Sequence, residues 1–175
     1  MSELMIVCGS GRTLFDDLKK ARSLVARFPV MAINGAVYGL EEFEHLASLH
    51  SNMVHHWRYA RGVRQDCGVR KPARACQTHS DREDVDVDVA HAAFPLSGGS
   101  SALFGVQVAL FALNAKDVLL CGVPYDDAGH FYDPPLVRSS RSAPGDWEPW
   151  MLAKGLFGDR VRSMSGKTKE LFGDG

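Results

Sequence analysis

Leu4-Met5-Ile6-Val7-Cys8-Gly9-Ser10-Gly11-Arg12-Thr13 is the stretch that decides the fold. Its first five residues are an unbroken apolar run, the pattern of a short strand buried on both faces. Glycine and serine follow at once, and then Leu14, Leu18, Ala21, Leu24 and Val25 recur at helical spacing. Phe28-Pro29 stops that helix. Val30-Met31-Ala32-Ile33 is a second buried strand, and it closes on Asn34-Gly35. Strand, glycine turn, helix and strand together open a doubly wound sheet. The expected class is α/β and Rossmann-like: a mainly parallel sheet with helices on both faces.

Outward from that unit the alternation continues less evenly. Residues 41–45 read as a helical turn, 45–50 as a third short strand and 54–63 as a helix. Residues 73–78 and 85–90 are weaker strand candidates, and the acidic stretch 80–88 is either an edge strand or a solvated loop. After Pro95 the pattern sharpens. A glycine–serine loop leads into residues 102–113, which are apolar nearly all round and so predict a buried helix. Asp117-Val118-Leu119-Leu120-Cys121 is another buried strand ending at Gly122. Residues 128–149 read as a long loop, 147–157 as a helix and Val161 as a short last strand. The three apolar runs, 4–8, 30–33 and 117–121, should be neighbouring parallel strands.

The chain has 175 residues, 45% hydrophobic and 23% charged, which predicts one globular domain over 1–175. A formal net charge of −1 supplies no general field for nucleic acid or an anionic membrane. Arg58, Arg61, Arg64, Arg70, Lys71 and Arg74 are a local exception, read as a solvated face or as a contact for an anionic acceptor. Cys8 and Cys121 end apolar runs and read as buried strand thiols. Cys67 and Cys76 lack zinc spacing, and a reducing compartment is the simpler setting. No signal pattern opens the chain, and no apolar run approaches the roughly 20 residues of a membrane span. A cytoplasmic protein is expected, and the sequence does not indicate an oligomeric state.

Three loops carry the candidate chemistry: Gly9 to Thr13, Ser97-Gly98-Gly99-Ser100-Ser101, and Gly122-Val123-Pro124-Tyr125. In an open parallel sheet, ligands bind beyond the carboxyl ends of the strands. Gly9 and Gly11 would let backbone approach a phosphate at a helix start, with Ser10, Arg12 and Thr13 beside it. The alternative is a tight turn with Thr13 as helix cap. In the second loop one serine would suffice for a cap, so the surplus of small donors favours an anion or nucleotide. Asn34 holds a base or ribose, or merely its own turn. His130, in a strand-end loop with Asp126 and Asp127, is a candidate acid or base, or a surface histidine. His55 and His56 are adjacent and diverge on a helix, so no metal site is assigned. Magnesium would enter with a nucleotide substrate.

This ordered set resembles the Rossmann-like proteins of the MptE-like, or 6-hydroxymethylpterin diphosphokinase-like, group. It is also similar to bacterial sialyltransferases that use a CMP-sugar. The resemblance runs from Leu4 to Tyr125. It implies that Gly9 and Gly11 belong to a donor phosphate loop, that Asn34 contacts the nucleotide, and that Ser97, Gly98 and the following serines match a Ser/Thr-Ser-Gly loop. It implies that Gly122 and Tyr125 belong to the later loop and places His130 near a catalytic histidine. Two departures stand out: Arg12-Thr13 where those families have Pro-Ser, and Pro124 where an acidic residue is common. Arg12 beside a helix N-terminus is expected to contact a ligand phosphate or carboxylate, or else Asp16. Two functions follow: a transferase acting on a nucleotide-activated or pyrophosphate-bearing substrate, and a non-catalytic nucleotide- or phosphometabolite-binding module. They are separated by whether His130, Asp126 and Asp127 share a cleft with the glycine loops.

Overall fold

A computed structural model describes residues 3–24, 27–60, 76–84, 86–92, 94–134 and 147–175. Seven parallel strands form one sheet. They are β1 (Leu4–Cys8), β2 (Val30–Ile33), β3 (His45–Ser48), β4 (Gln77–Ser80), β5 (Val89–Ala90), β6 (Asp117–Cys121) and β7 (Val161–Ser163), in the order β5-β4-β3-β2-β1-β6-β7. The helices are α1 (Leu14–Leu24), α2 (Ser51–Ala60), α3 (Ser101–Gln107), α4 (Trp147–Phe157) and α5 (Gly166–Phe172). A π-helical turn, Val108–Ala112, prolongs α3.

Side chains alternate across the strands, and the two cores follow that alternation. Met5 and Val7 of β1, Met31 and Ile33 of β2 and Leu120 of β6 pack with α3, its π turn and α4. Ile6 and Cys8, with Ala32 and Leu46, pack on the other face against Leu14, Leu18 and Ala21 of α1 and Trp57 of α2. A strand buried on both faces has no polar side to display, which is why these runs are continuously apolar. Cys8 and Cys121 face one another in register as buried free thiols. Burial pushes the Cys121 thiol up to about 12 and raises Cys8 as well.

The three apolar runs are neighbours as expected: β2 flanks β1 on one side and β6 flanks it on the other. The order therefore reverses between β1 and β6, the point where open sheets leave a crevice. Other expectations need correction. Residues 41–44 are not helical; the turn comes earlier, as a 3₁₀ segment at Asn34–Tyr38, because Asn34 leaves β2 in the left-handed region (φ 50°). Helix α2 begins at Ser51, where His50 accepts from Met53, rather than at Val54. Strand β4 runs to Ser80, and the edge strand is Val89–Ala90 rather than the acidic stretch before it. Helix α5 was not anticipated. It starts at Gly166, and the side chain of Thr168 is buried against Val123. Of the basic stretch, only Arg58 lies among the described residues, as does only part of the 128–149 loop.

Candidate functional site

A cleft of about 650 Å³ opens at the carboxyl edge of the sheet, over the β1–β6 reversal. Gly9, Ser10 and Gly11 form its floor after β1 and Asn34 its wall after β2. Gly99, Ser100 and Ser101 enter from the start of α3, and Gly122, Tyr125, Asp126 and His130 from the segment after β6. Eleven expected site residues thus converge, although they span most of the chain.

The first loop is shaped by packing as much as by any ligand. A Cβ on Gly9 would lie 2.5 Å from the Gly122 carbonyl oxygen, and one on Gly11 2.5 Å from Pro124 Cδ. The amides of these glycines donate to Cys121 and Gly122 at 2.8 and 2.9 Å. Glycine is therefore required for close approach of the β1 and β6 loops to each other, and those two N–H groups are not presented to a phosphate.

Asp17, unnoticed in the sequence, locks this junction. It is 2% exposed. Its Oδ2 accepts from Gly122 N (2.9 Å), Thr13 Oγ1 (2.9 Å) and Ser165 Oγ (2.7 Å). Thr13 accordingly serves the α1–β6–α5 junction and does not line the cleft. Arg12 does not line it either. Its guanidinium donates to the carbonyl oxygens of Ala128 (2.6 Å), Asp133 (3.2 Å) and Pro134 (2.8 Å), and neither a ligand-facing position nor an Asp16 ion pair is formed. The physical reason is reach: the 128–134 loop folds back over the glycine turn, where Phe131 donates to Ser10, and brings three carbonyl oxygens to Arg12.

That fold-back also places His130. Its Nδ1 lies 2.7 Å from Ser10 Oγ, its backbone N–H donates to Asp133 Oδ2 (2.9 Å), and its ring stacks on Tyr132 at 5.0 Å. Asp126 lines the cleft, but Oδ1 accepts from Ala128 N (3.1 Å), a local turn. Asp127 is not among the lining residues.

In the second loop Gly98 and Gly99 both take positive φ, 77° and 74°. Ser100 caps α3 by accepting from Leu103 N (3.3 Å), and Ser101 Oγ accepts from Leu49 N (3.1 Å). Ser97 and Gly98 line a separate hollow of about 140 Å³ beside His91 and Gln107. The buried Gln107 amide holds Leu96 through both its N–H and C=O, fixing where the loop begins.

Asn34 is the most informative lining residue. It sits in the left-handed region, and its Oδ1 is shielded from solvent with no hydrogen-bond partner among the described residues. Tyr125 is likewise left-handed (φ 55°) and packs on Trp147 at 4.8 Å. The cleft is also lined by Met53, Trp57 and Tyr132, which sequence reasoning did not assign to it, and by His50, the histidine that closes the third strand candidate. The signal in the sequence was His50 at the end of the third strand; in the structure it packs edge-on against Trp57. Among the described lining residues there is no lysine or arginine, and among all described residues no group of three His, Cys, Asp or Glu is placed to hold a metal. No described helix is long and apolar enough to cross a membrane.

A parallel α/β sheet with a cleft at its topological reversal defines the class: a Rossmann-like α/β fold. Two solved structures share it. The monofunctional alpha-2,3-sialyltransferase Cst-I from Campylobacter jejuni superposes with a TM-score of 0.60 at 12% identity, over 97% of this chain and 79% of that one. The sialyltransferase Cst-II in complex with CMP gives 0.59 at 12% identity, over 97% and 85%. At this identity the likeness is one of fold. No family model and no curated protein matches the chain. The resemblance to the pterin diphosphokinase-like group rests on the sequence motifs alone.

Proposed function

We propose that this chain is a transferase that binds a nucleotide-activated donor, a sugar nucleotide in the first instance, in the cleft over β1 and β6. The observation that carries the reading is the Asn34 side chain. A strained backbone and a buried carbonyl oxygen with no partner among the described residues each cost free energy, and a ligand amine or hydroxyl at that oxygen would offset the second cost. The fold shared with a sialyltransferase that binds CMP supports a nucleotide as the ligand.

In this reading Ser100, Ser101 and the amides opening α3 face the phosphate, and Tyr125 flanks it. His130 takes the proton from the acceptor hydroxyl as that oxygen bonds to the sugar carbon and the phosphate leaves with the bonding electrons. Asp126 is the one carboxylate among the described lining residues, so any magnesium would come with the nucleotide rather than from a protein-built site.

Calorimetry with CMP tests the binding half. Asn34→Gly keeps the left-handed backbone and removes only the amide; it should weaken CMP about tenfold, the equivalent of one hydrogen bond. No measurable CMP affinity in the parent chain sinks the nucleotide reading. His130→Gln should retain CMP affinity and lose transfer from a CMP-activated sugar by about 10²–10⁴-fold. Undiminished turnover removes His130 from the chemistry. Binding without any turnover in the parent chain leaves a non-catalytic module.

A further inference from the structure

Helix α4 turns an apolar face to solvent that its own packing does not use. Trp150, Ala153 and Phe157 are its buried side and seat it in the core that it shares with α3. Met151, Leu152 and Leu156 lie on the other side, 54%, 56% and 58% exposed. Phe111, 43% exposed and edge-on to Phe157, extends the patch. Single exposed leucines are ordinary, but four large apolar side chains grouped together mark a contact surface. Gly155 lies among them, and a Cβ built on it would meet no heavy atom within 4 Å. The helix therefore carries an open notch beside its apolar knobs.

Charge along this face narrows the occupant. Residues four and seven apart share one side of a helix, so Glu148, Leu152 and Gly155 form a stripe, with Met151 and Leu156 flanking it. Glu148 is exposed and makes no ion pair among the described residues. Beyond the other end, Asp159 sits 4.0 Å from Lys154 and 3.5 Å from Arg162, two cations against one carboxylate. With Glu148 the face sums to zero charge, so an anionic lipid surface gains nothing from it. The stripe instead matches itself. In an antiparallel pair about a two-fold axis between residues 152 and 155, Leu152 of each copy enters the Gly155 notch of the other. Met151 then meets Leu156, and Glu148 reaches the Lys154–Asp159–Arg162 cluster. Each contact occurs twice, as an isologous interface requires.

We propose that α4 is a self-association face through which two copies of this chain pair antiparallel in solution. A helix of 11 residues is about 16 Å long, so the interface is smaller than the ~800 Å² per partner of a standard one. The pairing is therefore reversible and set by protein concentration. It does not depend on the ligand proposed above. The paired helix also borders the cleft, because Trp147, its first residue, packs on Tyr125 at 4.8 Å.

The test is sedimentation velocity from about 1 μM to 1 mM protein, a range that spans weak reversible pairing. The mean mass should rise from that of one chain toward that of two. Leu152→Glu should abolish the rise. Gly155→Leu places a side chain where a Cβ touches nothing in its own chain. It should raise the dissociation constant about tenfold or more, while its thermal midpoint stays at or above the parent's because leucine is the better helix former. Glu148→Lys and Lys154→Glu should each weaken pairing, and the double variant should recover it, because the two charges are exchanged across the two-fold. A parent chain that stays a monomer throughout overturns the proposal. So does a dimer that tolerates Leu152→Glu and Gly155→Leu, or a double variant no better than either single one. Capture of a monomeric parent by phosphatidylserine vesicles, lost in Leu152→Glu, would assign the face to lipid and overturn it as well.

Discussion

Arg12 makes three hydrogen bonds to backbone oxygens that lie 116, 121 and 122 residues away. A planar guanidinium can serve several carbonyls from one position, and an ammonium cannot reproduce that fork. Arg12→Lys should therefore destabilise the protein by about 1–3 kcal/mol and speed hydrogen exchange at Phe131, whose amide donates to Ser10 beneath the clamp. Parent-like exchange at Phe131 would show that the loop is held by its aromatic contacts instead. Asp17 is a harder case. Its carboxylate satisfies a backbone amide and two hydroxyls in a buried setting, and deletion strands the Gly122 amide and leaves the Thr13 and Ser165 hydroxyls to share one bond between them. Asp17→Ala should cost about 3 kcal/mol or more in a urea titration, with Asp17→Asn intermediate because an amide keeps one acceptor oxygen. A cost for Asp17→Ala within about 0.5 kcal/mol, the range of ordinary surface changes, would mean that water takes over the carboxylate's role. Neither role could be read from the sequence. Arg12 was legible as a cation beside a helix start, and a phosphate was the obvious partner; the carbonyls that occupy it come from a loop whose return path no local pattern encodes.

At the scale of elements, the β1 and β6 loops act as one piece. Gly9 and Gly11 sit where any Cβ would strike the Gly122–Pro124 turn, and their amides bond to Cys121 and Gly122. Gly11→Ala should force the two loops apart and cost about 1–3 kcal/mol, the usual penalty of overpacking. It should also weaken the Ser10–His130 contact, because His130 pairs with Gly11 in a bridge. A Gly11→Ala protein with parent stability and unchanged His130 resonances would refute that coupling. The contrast with what sequence showed is instructive. β1, β2 and β6 were legible because burial on both faces leaves an unbroken apolar signature. β5 is only Val89–Ala90, and β4 buries the polar Thr78, His79 and Ser80, so neither strand carries that apolar signature. α3 was legible as a buried helix, yet its cap and its tether, Ser100 and Ser101, are told apart only by the partners Leu103 and Leu49. The convergence of the site was legible for the same reason as the strands: loops after parallel strands gather on one edge whatever their spacing in sequence.

The molecule as a whole carries a stability device on the side of the sheet away from the β1–β6 crevice. His45, His79 and His91 form a row across β3, β4 and the end of β5, with Nδ1 of His45 3.2 Å from Nε2 of His79 and Nδ1 of His79 3.0 Å from Nε2 of His91. A nitrogen-to-nitrogen hydrogen bond needs one protonated and one bare nitrogen, so the row holds together when the rings are neutral. His91 also stacks on Phe94 at 5.1 Å, so the row anchors the edge strand to the α3 face. Burial first, and then the neighbouring rings His45 and His91, push His79 down to about 3. Burial lowers His45 and His91 too. The sign follows directly. Between about pH 6.5, where an unfolded histidine titrates, and the lowered folded values, the unfolded chain binds more protons, so stability falls as pH falls. Each proton difference contributes a slope of up to about 1.4 kcal/mol per pH unit. Urea titrations at about pH 7.5, 6.5 and 5.5 bracket the onset and stay above the range where ordinary carboxylates titrate. The midpoint should fall slightly between the first two and about three times as far between the second and the third. His79→Gln, which keeps a donor and an acceptor in the row without a titrating group, should start less stable but lose less between pH 6.5 and 5.5. An equal loss in both proteins would place the acid sensitivity elsewhere and leave the row a matter of packing.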